Sequence, residues 1–369
     1  MPEKKEFLTD QIITYLGNKR ALLGFIDKAV SLVKKELNVQ QLTSFDVFAG
    51  SGIVSRYLKQ YSSVLYTNDL EDYCRIINKC YLTNVEDIDE SELEHWFKNL
   101  QNRVDNEPLV NDGFIYRLYA PKNDKKIQAG ERVFYTTRNA QYLDTARQYL
   151  EKIPEPYKTL LLGPLLYEAS TKNNTSGVFK GFYKNSKTKL GQFGGNGQNA
   201  LKRILADIEV KKPVLSMNYS EVHVLQGDSN IICEQVPHVD LAYMDPPYNQ
   251  HPYSSNYFML NLLANYKEPD NISSVSGIPV GWNKSSYNKK NEALKALADV
   301  CKKVNASYIL ISYNSEGFIT FDEMVKMLNN LGDVRVFDQN YNVFRGCRNL
   351  RDRDIHVTEY LFLLRKERN

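Results

Sequence analysis

Apolar positions along this chain fall into two regimes. In the first and last parts, short runs rich in β-branched and aromatic residues alternate with stretches of helical period. Ser44-Phe45-Asp46-Val47-Phe48 reads as a strand that ends in Ala49-Gly50-Ser51-Gly52, and Ile53 to Tyr61 is compatible with a helix. Ser63-Val64-Leu65-Tyr66-Thr67 reads as a second strand, closed by Asn68-Asp69 and followed by a helix to about Leu82. Further strands are expected at 222–226, 239–244, 308–312, 334–337 and 358–364, with helices at 291–304 and 320–331. Strand–helix alternation of this kind predicts an α/β fold with a mainly parallel sheet.

Between about 85 and 216 the alternation stops, and Gly, Asn, Lys and Tyr become frequent. Gly191-Gln192-Phe193-Gly194-Gly195-Asn196-Gly197 can continue neither a helix nor a strand. An interruption this long exceeds a normal connection and reads as an inserted domain. The expected division is therefore 1–84 with 217–369 as one domain, and 85–216 as the insert.

Composition narrows the class only a little. With 42% hydrophobic and 25% charged residues, the chain has the make-up of an ordinary globular protein. No apolar run approaches the roughly 20 residues of a membrane span, and the charged N-terminus lacks a signal-peptide core, so a cytoplasmic location is expected. A net charge of +3 does not by itself announce a nucleic-acid binder. The five cysteines form no CxxC pair and none sits at metal-ligand spacing from a histidine, so free thiols and no metal are expected. The 25 tyrosines suit base stacking as well as ordinary packing.

Four stations could carry chemistry. Asp46 to Gly52 ends a strand in small residues, which lets a ligand approach the backbone at the carboxyl edge of a sheet. Asp69 ends the next strand, where a carboxylate can accept from ribose hydroxyls or serve as a helix N-cap. Asp245-Pro246-Pro247-Tyr248 follows the apolar run 239–244; the two prolines stop the strand and stiffen the turn, fixing a carboxylate, a carbonyl and an aromatic ring together. Two acceptors for the hydrogens of a planar amine, beside an aromatic face for its ring, would direct the amine lone pair at an electrophile. Tyr15-Leu16-Gly17-Asn18-Lys19-Arg20 is a turn leading into a helix-patterned stretch from Ala21 to Lys35.

In this order the four stations resemble the Dam-like DNA adenine methyltransferases, including the modification enzymes of type II restriction systems. The likeness rests on Tyr15…Lys19, Phe48-Ala49-Gly50-Ser51-Gly52, Asp69 and Asp245–Tyr248, with a long insert before the last. Ser176 to Phe182 resembles the segment by which members approach DNA, and Arg345–Leu350 with His356–Tyr360 resembles one restriction-system branch. The resemblance implies a Rossmann-like sheet that binds S-adenosylmethionine, interrupted by a largely helical and loop target-recognition domain. It assigns cofactor contacts to Tyr15, Lys19, Asp46, Phe48, Ala49, Gly50, Gly52, Asp69, Asp228 and Asp245. Asp228 also reads as an N-cap before Ser229. Catalysis falls to Asp245, the Pro246 carbonyl and Tyr248, and DNA contacts to Lys180, Tyr183 and Lys184. Other basic residues of the insert, Lys172, Lys187 and Lys189, are further candidates for phosphate contacts.

The expected activity is N6 methylation of an adenine flipped out of duplex DNA by a monomer. The setting would be a restriction-modification system, in which a cognate endonuclease would act separately; whether such a partner exists is not legible. The loop 249–257 is expected to close over the flipped base, and His251 within it has no carboxylate partner that would make it a general base. Ring-carbon cytosine methylation needs a nucleophilic cysteine, typically after proline, and no Pro-Cys occurs. Amine methylation of cytosine or an RNA base, and a non-catalytic DNA-binding subunit, are the competing readings. The recognition sequence is not legible.

Overall fold

Seven strands hydrogen-bond into one sheet in the order β3-β2-β1-β4-β5-β7-β6, in a computed structural model that describes residues 3–342 and 356–367. They are β1 (Leu42–Asp46), β2 (Ser62–Asp69), β3 (Glu221–Gln226), β4 (Val239–Met244), β5 (Ala306–Asn314), β6 (Gly332–Asn342) and β7 (His356–Lys366). The first five run parallel, and β7 enters antiparallel between β5 and β6. The expected strands are present: β4 has the expected bounds, β1 begins and ends two residues before its expected run, and the other five are longer than theirs. The segment Arg345–Leu350 and Cys347 lie outside the described residues.

Central strands of a parallel sheet are covered on both faces, which accounts for the near-continuous apolar run of β4. Its alternation divides two cores. Leu241 and Tyr243 pack with Ile26, Val30 and Val33 of the helix Leu23–Leu37 and with the helix Ile53–Lys59. Ala242 and Met244 pack with Leu297 and Val300 of the helix Lys290–Lys303 and with Met324 and Leu328 of the helix Phe321–Asn329. The last of these helices starts at a capping box between Thr320 and Glu323, a signal present in the sequence.

Residues 85–216 add no strand to this sheet. They form the helices Glu90–Asp105, Phe114–Tyr119, Thr137–Leu150, Tyr157–Thr171 and Leu201–Ile204, with irregular backbone between the last two. The first four of these helices share one apolar cluster with the helices Asp72–Leu82 and Phe258–Asn265. At the closest approach, a Cβ on Gly163 would lie 2.5 Å from Cys80 Sγ, so only glycine lets the two helices meet there. The irregular stretch is held from within by Asn174, whose amide donates to Val133 O (2.8 Å) and accepts from Gly194 N (2.9 Å).

The strand order reverses between β1 and β4. In open α/β sheets a crevice forms at this switch point, beyond the carboxyl ends of the strands. The loops after β1, β2, β3 and β4 all emerge there.

Candidate active site

The turn after β1 is built by backbone bonds to its neighbours: Val47 N donates to Tyr243 O (3.0 Å) and Ala49 N to Asn68 O (2.9 Å). Gly50 takes φ +51°, and a Cβ there would lie 3.0 Å from the Tyr15 ring. Gly52 takes φ +75° at the start of the helix Ile53–Lys59 and faces Asn78, so it shapes the turn without lining the cleft. Asp46 accepts from Ser55 Oγ (2.6 Å) through one oxygen; its other oxygen is buried and has no partner among the described residues. Burial pushes this carboxyl up to about 7, opposed by the Ser55 bond and reinforced by Asp245 and Asp69.

Asp69 accepts from Gly50 N (2.8 Å) and Glu71 N (2.9 Å), tying the end of β2 to the β1 turn. The N-cap position of the following helix is Glu71, so Asp69 is not that cap. Burial raises the Asp69 carboxyl above its ordinary value. Asp228 does cap a helix, accepting from Asn230 N (3.0 Å), and it lines the cleft as well. Both readings of this residue are therefore compatible with its position.

Asp245-Pro246-Pro247-Tyr248 follows β4 directly. Phe318 N donates to Tyr248 O (3.0 Å), and the Tyr248 ring sits edge-on to Tyr313, 6.4 Å between centroids. Pro246 is buried, and Pro247 rather than Pro246 faces the cleft. The buried Lys19 ammonium reaches Asp245 at 3.2 Å and Glu359 of β7 at 2.9 Å. Burial raises the Asp245 carboxyl to about 6; Lys19 lowers it and Glu359 raises it.

Tyr15 stacks against two rings of the segment after the Pro-Pro turn, which lie 6.1 Å from each other. Its centroid is 4.9 Å from those of Tyr253 and Tyr257, with the planes inclined by 17° and 18°. Tyr257 OH accepts from Leu16 N (2.7 Å) and Tyr253 OH donates to Leu16 O (3.1 Å). The loop is thus fastened to the N-terminal station. Glu71, on its other side, accepts from Ser254 Oγ and from Asn261 Nδ2 (2.5 Å), and burial raises it to about 7.

Tyr15, Lys19, Asp46, Phe48, Ala49, Gly50, Asp69, Asp228 and Asp245 line a single cleft of about 1010 Å3 counted out to open solvent. Sequence reasoning missed Glu71, Tyr287, which packs edge-on against Phe48 at 5.0 Å, and Glu359. Glu71 follows Asp69 by two residues but carries no motif of its own. Tyr287 comes from a distant segment, and Glu359 lies in His356–Tyr360, a segment read for its resemblance without a role for this residue.

The DNA-contact candidates lie outside the cleft. Lys180 Nζ stands 3.2 Å from His251 Nδ1, so the insert meets the loop after the Pro-Pro turn there. Burial lowers the basicity of both, and Lys180 lowers His251 further. Lys184 lies over the Phe182 ring, 5.0 Å from its centroid, and Tyr183 exchanges backbone bonds with Asn174 and Gln192. Lys172 is instead paired with Glu168 at 2.5 Å.

A cleft walled by Asp46, Asp69, Glu71 and Asp245, with one orphaned carboxylate oxygen, suits a ligand that brings positive charge and hydrogen-bond donors. The sulfonium and ammonium groups of an S-adenosylmethionine-type donor have both. Sheet and cleft together define the class as a methyltransferase using a donor of that type. The chain belongs to the D12 class N6 adenine-specific DNA methyltransferases, whose family model matches residues 15–327. It is similar to Type II methyltransferase M.CviAII of Paramecium bursaria Chlorella virus 1, with 29% identity over 95% of this chain and 98% of the relative. Type II methyltransferase M.NlaIII of Neisseria lactamica is 26% identical over 96% and 99%. Modification methylase LlaI of Lactococcus lactis subsp. lactis is 28% identical over 90% of this chain, which spans 51% of that relative. No helix among the described residues is long and apolar enough to cross a membrane.

Proposed function

We propose that this chain is the modification enzyme of a restriction-modification system, methylating a flipped adenine in duplex DNA with Asp245, the Pro246 carbonyl and Tyr248 around the reacting amine. The observation that carries the reading is the convergence of Asp245, Lys19, Asp46 and Asp69 on one cleft at the switch point of the sheet. Tyr15, Lys19, Asp46, Asp69, Asp228 and the backbone from Phe48 to Gly50 would hold S-adenosylmethionine, with Gly52 shaping that turn. Bound there, the donor supplies an electrophilic methyl group: the N–C bond forms as the S–C bond breaks, sulfur keeps the electron pair, and one amine proton is released.

The protein's own work is positioning and preorganised acceptance. Extracting a base from the duplex costs a few kcal/mol, and stacking on Tyr248, about 1–3 kcal/mol, offsets part of it. Asp245 and the Pro246 carbonyl would accept the two amine hydrogens and turn the lone pair toward the methyl group. Residues 85–216 would be the target-recognition domain set into the catalytic domain formed by 1–84 and 217–369. Lys180, Tyr183 and Lys184 would meet the DNA backbone from this side. A cognate endonuclease would act as a separate chain, as the relatives' names as type II modification enzymes suggest.

Transfer of a tritiated methyl group from S-adenosylmethionine to duplex DNA tests the reading. Asp245→Ala should lower kcat by about 10²–10³ or more, as loss of a direct transition-state contact does. Transfer undiminished in that variant overturns the assignment.

A further inference from the structure

Glu359 does not line the cleft, yet it sits in the same charge cluster as Asp245. Its side chain is fully buried at 0% exposure, 2.9 Å from Lys19 Nζ. Ser312 Oγ of β5 donates to its Oε1, and Oε2 has no hydrogen-bond partner among the described residues. A buried carboxylate gives up several kcal/mol of hydration. Here its compensation is incomplete, because Lys19 also reaches Asp245 at 3.2 Å. Two carboxylates share one ammonium, and the cluster of three carries net negative charge when all are ionised.

That arrangement bears on the reaction. If Lys19 faced Asp245 alone, the pair would be neutral and the ammonium would draw on the oxygens the amine needs. A second carboxylate on the far side of Lys19 divides the ammonium between them. We propose that Glu359 is a positioning residue for methyl transfer: by drawing Lys19 toward β7 it leaves Asp245 an oxygen free for the adenine amine and keeps negative charge beside the nitrogen. This rests on the reading of Asp245 as the amine's acceptor. The nitrogen turns cationic as it gains the methyl group and stays so until its proton leaves, so uncompensated negative charge nearby favours the transition state over the neutral amine.

Other groups also face Asp245. They are Asp46 from β1, Tyr243 from β4, and the phenols of Tyr248 and Tyr253. Among the described residues, Lys19 and Glu359 share an ion-paired network with it. The direction of the effect agrees: Glu359 raises the Asp245 carboxyl and Lys19 lowers it.

The test is the pH profile of kcat for the full chain, measured for the wild type, Glu359→Gln, Ser312→Ala and Asp245→Ala on one duplex. Glu359→Gln should lower kcat by about tenfold to a hundredfold, less than loss of a direct contact. KM for the donor should stay within about threefold. Its acidic limb should move to lower pH, because Lys19 then settles on Asp245. Ser312→Ala keeps the charge and removes the donor competing for Glu359, so its acidic limb should move to higher pH. This second variant decides the matter even if Glu359→Gln does not fold. Wild-type kcat in Glu359→Gln, or lost kcat with both limbs unmoved, would overturn the proposal and leave Glu359 a structural residue. Asp245→Ala separates the two levels: full activity there sinks the acceptor reading, whereas an inactive Asp245→Ala together with a Ser312→Ala profile whose acidic limb stays at the wild-type position sinks only the role of Glu359.

Discussion

At the scale of single residues, the cleft holds carboxyl groups against their preference for water. Asp46 and Glu71 are raised to about 7 and Asp245 to about 6, chiefly by burial. A cationic donor entering among them favours the ionised forms, so its binding must expel protons near neutral pH. Calorimetric titration of S-adenosylmethionine at pH 7 in two buffers of different ionisation enthalpy should show net proton release, vanishing near pH 9. Equal heats in both buffers at pH 7 would contradict this. The same groups act on stability with a definite sign. Their folded-state values lie above the unfolded ones, so the folded ligand-free chain binds extra protons between about pH 4 and 7. These carboxyls therefore destabilise the fold most above pH 7, and the penalty fades as pH falls through that window. Asp46→Asn should stabilise the ligand-free protein at pH 8 by about 1–4 kcal/mol. The gain should shrink toward pH 4, and donor affinity should fall. A Tm difference that does not depend on pH would count against the raised value of Asp46.

At the scale of elements, legibility followed from whether a pattern has one structural solution. The Asp-Pro-Pro-Tyr turn and the glycine turn after β1 were readable because their backbones tolerate few alternatives. The parallel strands were readable as apolar runs closed by turn residues. The helix Tyr157–Thr171 was not, because it is buried nearly all round and contains Pro164, which leaves no polar face to set a period. The direction of β7 was unreadable for another reason: alternation looks the same whichever way a strand runs. Yet only antiparallel entry, pairing Glu359 with Asn314 at the carboxyl end of β5, brings Glu359 to the catalytic edge. Position also sorts the lysines of the insert. Lys172 is ion-paired, whereas Lys180 meets His251 and stands at the seam between the insert and the Pro-Pro loop. Lys180→Ala should weaken DNA binding by a similar factor on cognate and unrelated duplexes, and reduce the salt slope of log K by about 1. Weakening confined to the cognate sequence would instead make Lys180 a base reader. Where the same loop meets the N-terminal station, Tyr257→Phe removes the acceptor of Leu16 N and should cost about 0.5–1.5 kcal/mol in thermal unfolding. An unchanged Tm would show that the loop is not fastened there.

At the scale of the whole molecule, residues 85–216 were expected as a separate insert, and in the structure the first four of their helices share one apolar cluster with the helices Asp72–Leu82 and Phe258–Asn265. The full chain should therefore unfold in one cooperative calorimetric transition; two resolved transitions would assign the insert its own stability. The shared core also fixes the geometry of the reaction face, since it joins the support of the insert to the loop that holds Tyr15. The proposed reaction has one product, N6-methyladenine in duplex DNA, with Asp245 as the acceptor for the amine. The most direct measurement is to treat duplex DNA with the purified chain and S-adenosylmethionine, digest it to nucleosides, and identify the methylated base. The predicted result is N6-methyl-2′-deoxyadenosine from the wild type, with production by Asp245→Ala lower by about 10²–10³ or more. Methyl groups on cytosine, or equal N6-methyl-2′-deoxyadenosine from both proteins, would contradict it.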